Sequence, residues 1–169
     1  FFMDVDFRQQ TDIKVPDSVL VGLTHVFLTV LKTVVETNDI WQIFLTRRTG
    51  NYWKAKEECF AGGFHIIIPN LTVDVSIMRT FRKKLLEDTS WMSLLDGFGM
   101  NCSAEKIIDE SITTRRNGLI LMGLNKPAKA CSPHYMFLQG NWRTDWFDEH
   151  THYLKFGWEF SNKEMPASN

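Results

Sequence analysis

The chain has 169 residues, 44% hydrophobic and 23% charged, with a formal net charge of −1. That length suits one domain, residues 1–169, with a core of its own. The near-neutral balance excludes the strong basic field of a protein that wraps nucleic acid or coats an anionic membrane.

The first seven residues, Phe1-Phe2-Met3-Asp4-Val5-Asp6-Phe7, predict a buried strand. Strand side chains alternate, so Met3, Val5 and Phe7 share one face and Asp4 and Asp6 the other, about 7 Å apart along the strand. Two carboxylates on one face of a core strand repel each other and lose hydration. A divalent cation, or a pair of them, offsets both costs, and Mg²⁺ and Mn²⁺ prefer carboxylate oxygens. The plain alternative is an edge strand with two solvated aspartates.

Residues 8–16 read as a polar loop ending at Pro16, after which Asp17 or Ser18 can cap a helix. Leu20, Leu23, Phe27, Val30, Leu31 and Val34 recur at helical spacing and predict a helix over 18–37, ended by Asn38-Asp39. His25, Lys32 and the threonines make this apolar stretch a poor membrane span. A strand is expected over 40–47, then a turn at Thr49-Gly50-Asn51. Gly62-Gly63 precede a β-branched strand, Phe64-His65-Ile66-Ile67-Ile68, stopped by Pro69. Asp74 opens a second helix, with Met78, Phe81 and Leu85 on its apolar stripe and Arg79, Arg82, Lys83 and Lys84 on the wet side. Residues 91–106 read as irregular, 107–109 as a short strand, and 118–123, 135–138 and 153–160 as further strands. The pattern is α+β: helices on a mixed or antiparallel sheet.

The polar residues planted in these apolar elements form a set: Asp4 and Asp6, then His65, then Asp109. A third carboxylate would complete a metal pair, and an imidazole can hydrogen-bond a phosphate. Taken alone, a strand histidine is more often a structural residue. A second ligand-rich run, Asp148-Glu149-His150-x-His152, lacks the spacing of a zinc motif and reads as a solvated turn. The cysteines Cys59, Cys102 and Cys131 are scattered with no Cys-x-x-Cys pair, so neither a zinc ribbon nor a disulfide framework is expected, and a reducing, intracellular compartment is.

Asp4-Val5-Asp6, Gly63-Phe64-His65-Ile66-Ile67-Ile68-Pro69 and Ile108-Asp109 occur in an order that resembles the three motifs of archaeo-eukaryotic-type primases. Those motifs are hydrophobic-Asp-hydrophobic-Asp, small-x-His and hydrophobic-Asp. The likeness is greatest to the primase domains of viral primase–helicases, as in poxviruses and other large DNA viruses. There the third motif runs on into a basic stretch and a Gly-x-x-Lys, as Asp109…Arg115-Arg116…Gly123-Leu124-Asn125-Lys126 does here. The resemblance covers roughly residues 1–128.

It implies an RRM-like primase catalytic core that makes primers on a single-stranded DNA template from nucleoside triphosphates. Asp4, Asp6 and Asp109 would hold two Mg²⁺ or Mn²⁺ ions, and His65, Arg115, Arg116 and Lys126 would contact the nucleotide phosphates. It also implies a helicase domain in the same chain, and with no initiator Met the sequence is expected to be a piece of something larger. If viral, its reducing compartment would be host cytoplasm or nucleus. Two positions depart from the pattern: Gly63 stands where Ser is usual, and Ile120 where an Arg is common. They favour the alternative of a weakened primase-like domain that serves nucleic-acid binding or assembly. Tyr52, Trp53, Trp142 and Trp146 are candidates to stack template bases, although most of the six tryptophans should pack in the core.

Overall fold

A computed structural model describes residues 1–36, 41–114 and 135–142, the last as backbone alone. Its strands are β1 (Phe2–Gln9), β2 (Ile43–Arg48), β3 (Tyr52–Lys54), β4 (Cys59–Ile67) and β5 (Tyr135–Trp142). Its helices are α1 (Asp17–Lys32), α2 (Val75–Glu87) and the single turn α3 (Ala104–Ile107). The sheet order is β1-β4-β2-β5, with β3 also on β4, and every described pairing is antiparallel. The fold is α+β, as expected. None of the described helices is long and apolar enough to cross a membrane.

β1 alternates as its sequence demands. Met3, Val5 and Phe7 are buried, while Phe2, Asp4, Asp6 and Arg8 take the other face and are only partly covered. Phe64 and Ile66 of β4 and Ile43 and Leu45 of β2 join the buried side. Leu20, Leu23, Phe27, Leu28 and Leu31 of α1 and Phe81 and Leu85 of α2 close the same core. Each such side chain contributes about 1.5–3 kcal/mol on burial. The helices therefore sit on one side of the sheet, and the row containing Asp4 and Asp6 lies on the other.

Several boundaries differ from the sequence reading, each for a local reason. α1 starts at Asp17, with Pro16 at the N-cap at φ −61°, the angle its ring imposes, and no side chain caps it. It stops at Lys32 rather than 37. Thr33 donates its hydroxyl to the Val30 carbonyl (2.8 Å), and β-branched Thr33, Val34 and Val35 are weak helix formers. The expected stop at Asn38-Asp39 lies outside the described residues.

β2 and β3 form one strand in effect, broken at Thr49-Gly50-Asn51. Its register on β4 slips by two residues there, from Arg47↔Phe64 to Tyr52↔Ala61. The glycine pair does not precede β4 but lies inside it. Gly63 has φ +156°, and a Cβ there would overlap the Val5 carbonyl oxygen, so its bare backbone is what lets β1 and β4 approach.

Residues 107–109, expected as a short strand, form none. Ser103 stands at the N-cap of α3, whose Ala-Glu-Lys start favours helix over the β-branched pair that follows. Ile107 and Ile108 are fully buried, but as the end of a helical turn. Asp109 then caps a 3₁₀ turn, Glu110–Thr113. Arg82 is not simply a wet-side residue: its Nε donates to the Ile108 carbonyl at 2.9 Å and pins this end of α3. The segment packs against β1, and Gln9 bridges to Met100 just before it. The expected strand 135–138 is the start of β5. Those at 118–123 and 153–160 lie outside the described residues.

Candidate active site

The polar face of the sheet is organised by cross-strand pairing. In antiparallel strands, directly opposed residues share a face. Asp4 of β1 pairs with His65 of β4, which pairs with Thr46 of β2. Asp6 pairs with Gly63 in the next row on that face. The residues that sequence reading collected from separate motifs are thus ladder neighbours: Asp4, Asp6 and His65 come together.

His65 Nε2 lies 3.2 Å from Asp4 Oδ1, and the ring is edge-on to Phe2 with centroids 5.0 Å apart. The imidazole is almost fully buried. The side chains of Asp4 and Asp6 keep 29% and 20% of their surface open, enough for a small ligand to reach them.

Two arginines complete the site, and the sequence reading passed over both. Arg48 Nη2 donates to Asp6 Oδ1 at 3.1 Å and Nη1 to the Gly62 carbonyl at 3.3 Å, with the guanidinium carbon 5.2 Å from the Tyr52 ring centre. Arg8 Nη2 lies 3.7 Å from Asp6 Oδ2, and its Nε donates to Glu57 Oε2 at 2.8 Å. Burial works against the Arg8 charge, but Asp6 and Glu57 outweigh it and hold the guanidinium pKa above its ordinary value. Hydrogen bonds from Lys54 and then Arg8 bring Glu57 down to about 2. Alternation could have revealed both arginines: Arg8 is in phase with Asp4 and Asp6, and Arg48 with Thr46. Arg47, out of phase, turns to the other side, donates to the Val15 carbonyl at 3.0 Å and pairs with Asp17 at the start of α1.

Asp109 stands apart from this row. Its carboxylate is exposed and accepts the Ser111 backbone N–H at 2.6 Å, capping its own turn. Among the described residues, no three His, Cys, Asp or Glu side chains are grouped as the ligands of a metal ion. The β1 pair nevertheless suits a divalent cation in kind: two hard carboxylates at alternate positions of one strand, partly open. Arg115, Arg116, Ile120 and Lys126 lie outside the described residues, as do Trp146 and the 148–152 run. Of the stacking candidates, Tyr52 lies beside Arg48 and Trp53 is exposed with its edge toward Phe60, centroids 5.0 Å apart. Trp41 and Trp91 are core.

Residues 1–137 match the family model described as the C962R protein N-terminal AEP domain, AEP denoting archaeo-eukaryotic primase. No curated protein matches the chain.

Proposed function

The chain belongs to the C962R N-terminal AEP domain family, and from that membership we propose that it makes primers on single-stranded DNA by nucleotidyl transfer. The observation that carries this reading is the cross-strand pairing of Asp4 with His65, two motifs 61 residues apart brought to 3.2 Å. Asp4 and Asp6 would hold Mg²⁺ or Mn²⁺, and Asp109, whose exposed carboxylate caps its own turn apart from them, would have to give up that cap to join. Bound there, such ions lower the pKa of a primer 3′-hydroxyl and offset charge on the triphosphate. His65 orients Asp4, and once a metal takes that carboxylate its Nε2 would be freed for a phosphate oxygen, while Arg115, Arg116 and Lys126 would supply cations for the same phosphates.

The family is named for an N-terminal domain, which supports reading this chain as the primase part of a longer protein. The fit is to a primase–helicase, with the helicase domain in the same chain and the work done inside an infected cell, in host cytoplasm or nucleus. The second reading, a domain that binds nucleic acid without making primers, is favoured by Gly63. That position lacks the usual hydroxyl and has no room for one.

A primer-free assay separates the two. The protein is given single-stranded DNA, Mn²⁺ and labelled ribo- or deoxyribonucleotides. Short template-dependent products are expected. DNA binding with no product would establish the binding module instead.

A further inference from the structure

Asp6 and Arg48 are on strands that do not touch, because β4 runs between them. The residue of β4 opposite Asp6 is Gly63. With no side chain there, the Arg48 guanidinium reaches across the strand to Asp6 Oδ1 at 3.1 Å. A Cβ at Gly63 would itself lie 3.2 Å from Asp6 Oδ1, in the space the contact uses. Carboxylate, gap and guanidinium are built to fit one another.

The Arg48 side chain is only 6% exposed, whereas Asp6 is partly open and two residues from Asp4 on the same face. A structural ion pair has no need of an open acid beside a second open acid. A cation bound at Asp6 Oδ1 and a guanidinium on that same oxygen repel each other strongly. Occupation of the carboxylate by one weakens the other. Arg48 has somewhere to go: the Tyr52 ring, 5.2 Å from its guanidinium carbon, is a face on which a displaced guanidinium can remain.

We propose that Arg48 is the resident counter-cation of Asp6, a positioning residue that a divalent cation displaces and that then binds the polyphosphate of the incoming nucleotide. In the empty site it neutralises the acid and keeps its rotamer fixed. In the loaded site its fork of donors meets phosphate oxygens, for which guanidinium geometry is suited. The nucleotide's grip is thereby coupled to the presence of the metal. This inference rests on the reading of Asp4 and Asp6 as cation ligands.

The test measures Mn²⁺ binding directly, from the free-ion electron paramagnetic resonance signal, with no turnover required. Arg48→Met should bind Mn²⁺ about tenfold more tightly than the wild type, since a competing charge is gone. Arg48→Gln keeps a hydrogen-bonding head without the charge and should show the same rise, so whichever variant folds by circular dichroism carries the test. Arg48→Lys keeps the charge and should stay close to wild type. Inorganic triphosphate, titrated in the presence of Mn²⁺, should bind about tenfold more weakly to Arg48→Met. Wild-type binding of Mn²⁺ with no gain in the neutral variants overturns the role of Arg48 alone. No Mn²⁺ binding by wild type or variants overturns the ligand reading of Asp4 and Asp6, and the role of Arg48 with it.

Discussion

Asp4 and His65 are direct cross-strand partners, with Nε2 of the imidazole 3.2 Å from Oδ1 of the carboxylate. The pair joins the acidic strand to the strand expected to meet the nucleotide. His65→Ala should weaken triphosphate binding roughly tenfold or more, as loss of a hydrogen bond to a charged group costs about 1.5–3 kcal/mol. Single-stranded DNA affinity should change little, since stacking and groove charge carry it. Fluorescence anisotropy titrations with Mn²⁺ read the two separately. Unchanged triphosphate affinity would make His65 a purely structural partner of Asp4.

Gly63 predicts a result opposite to naive restoration. The primase motif that this strand resembles has Ser here, so Gly63→Ser is the obvious restoration. Here a Cβ would run into the Val5 carbonyl and crowd Asp6. Gly63→Ser should lower the thermal midpoint by several degrees, in line with a cost of about 1–3 kcal/mol for overpacking, and should reduce primer synthesis. A Gly63→Ser protein as stable as wild type and more active would show that β1 and β4 do not need the close approach.

Glu57 predicts a pH dependence. Lys54 and Arg8 hold its folded-state pKa at about 2, below the ordinary 4.5. A depressed carboxyl pKa contributes stability above the unfolded value, and that contribution fades as pH falls from about 4.5 to about 2. The side chain is half exposed, so solvent screening keeps the effect below about 1 kcal/mol. Glu57→Gln should melt slightly below wild type at pH 7, with the gap closing by pH 2. A gap that persists at pH 2 would mean that the carboxylate charge is not its source.

Where periodicity was strong, the sequence disclosed the fold: the β1 alternation, the α1 stripe and the Asp74 cap of α2 all follow from residue spacing. It also disclosed which acids share a face. The segment 107–109 was misread because Ile107-Ile108 carries strand propensity, while the preceding Ala-Glu-Lys and the distant Arg82 hold it as a turn of helix. Arg8 and Arg48 escaped notice for a different reason. A motif search stops at motif edges, whereas the sheet continues the alternation through them. The interior place of Gly62-Gly63 in β4 was hidden because glycine signals a turn locally, and only the opposing β1 backbone reveals its use.

Whether the β1 carboxylates serve nucleotidyl transfer is decided by Asp4→Asn. Asp6→Asn is less clean, because it also strips Arg48, itself buried, of its acidic partner. Template-dependent primer synthesis with Mn²⁺ should fall in Asp4→Asn to the level of a protein-free control. Its circular dichroism and thermal midpoint should stay close to wild type, since easing the repulsion between Asp4 and Asp6 offsets the weakened His65 contact. Full primer synthesis by a folded Asp4→Asn protein would show that these carboxylates do not serve the transfer.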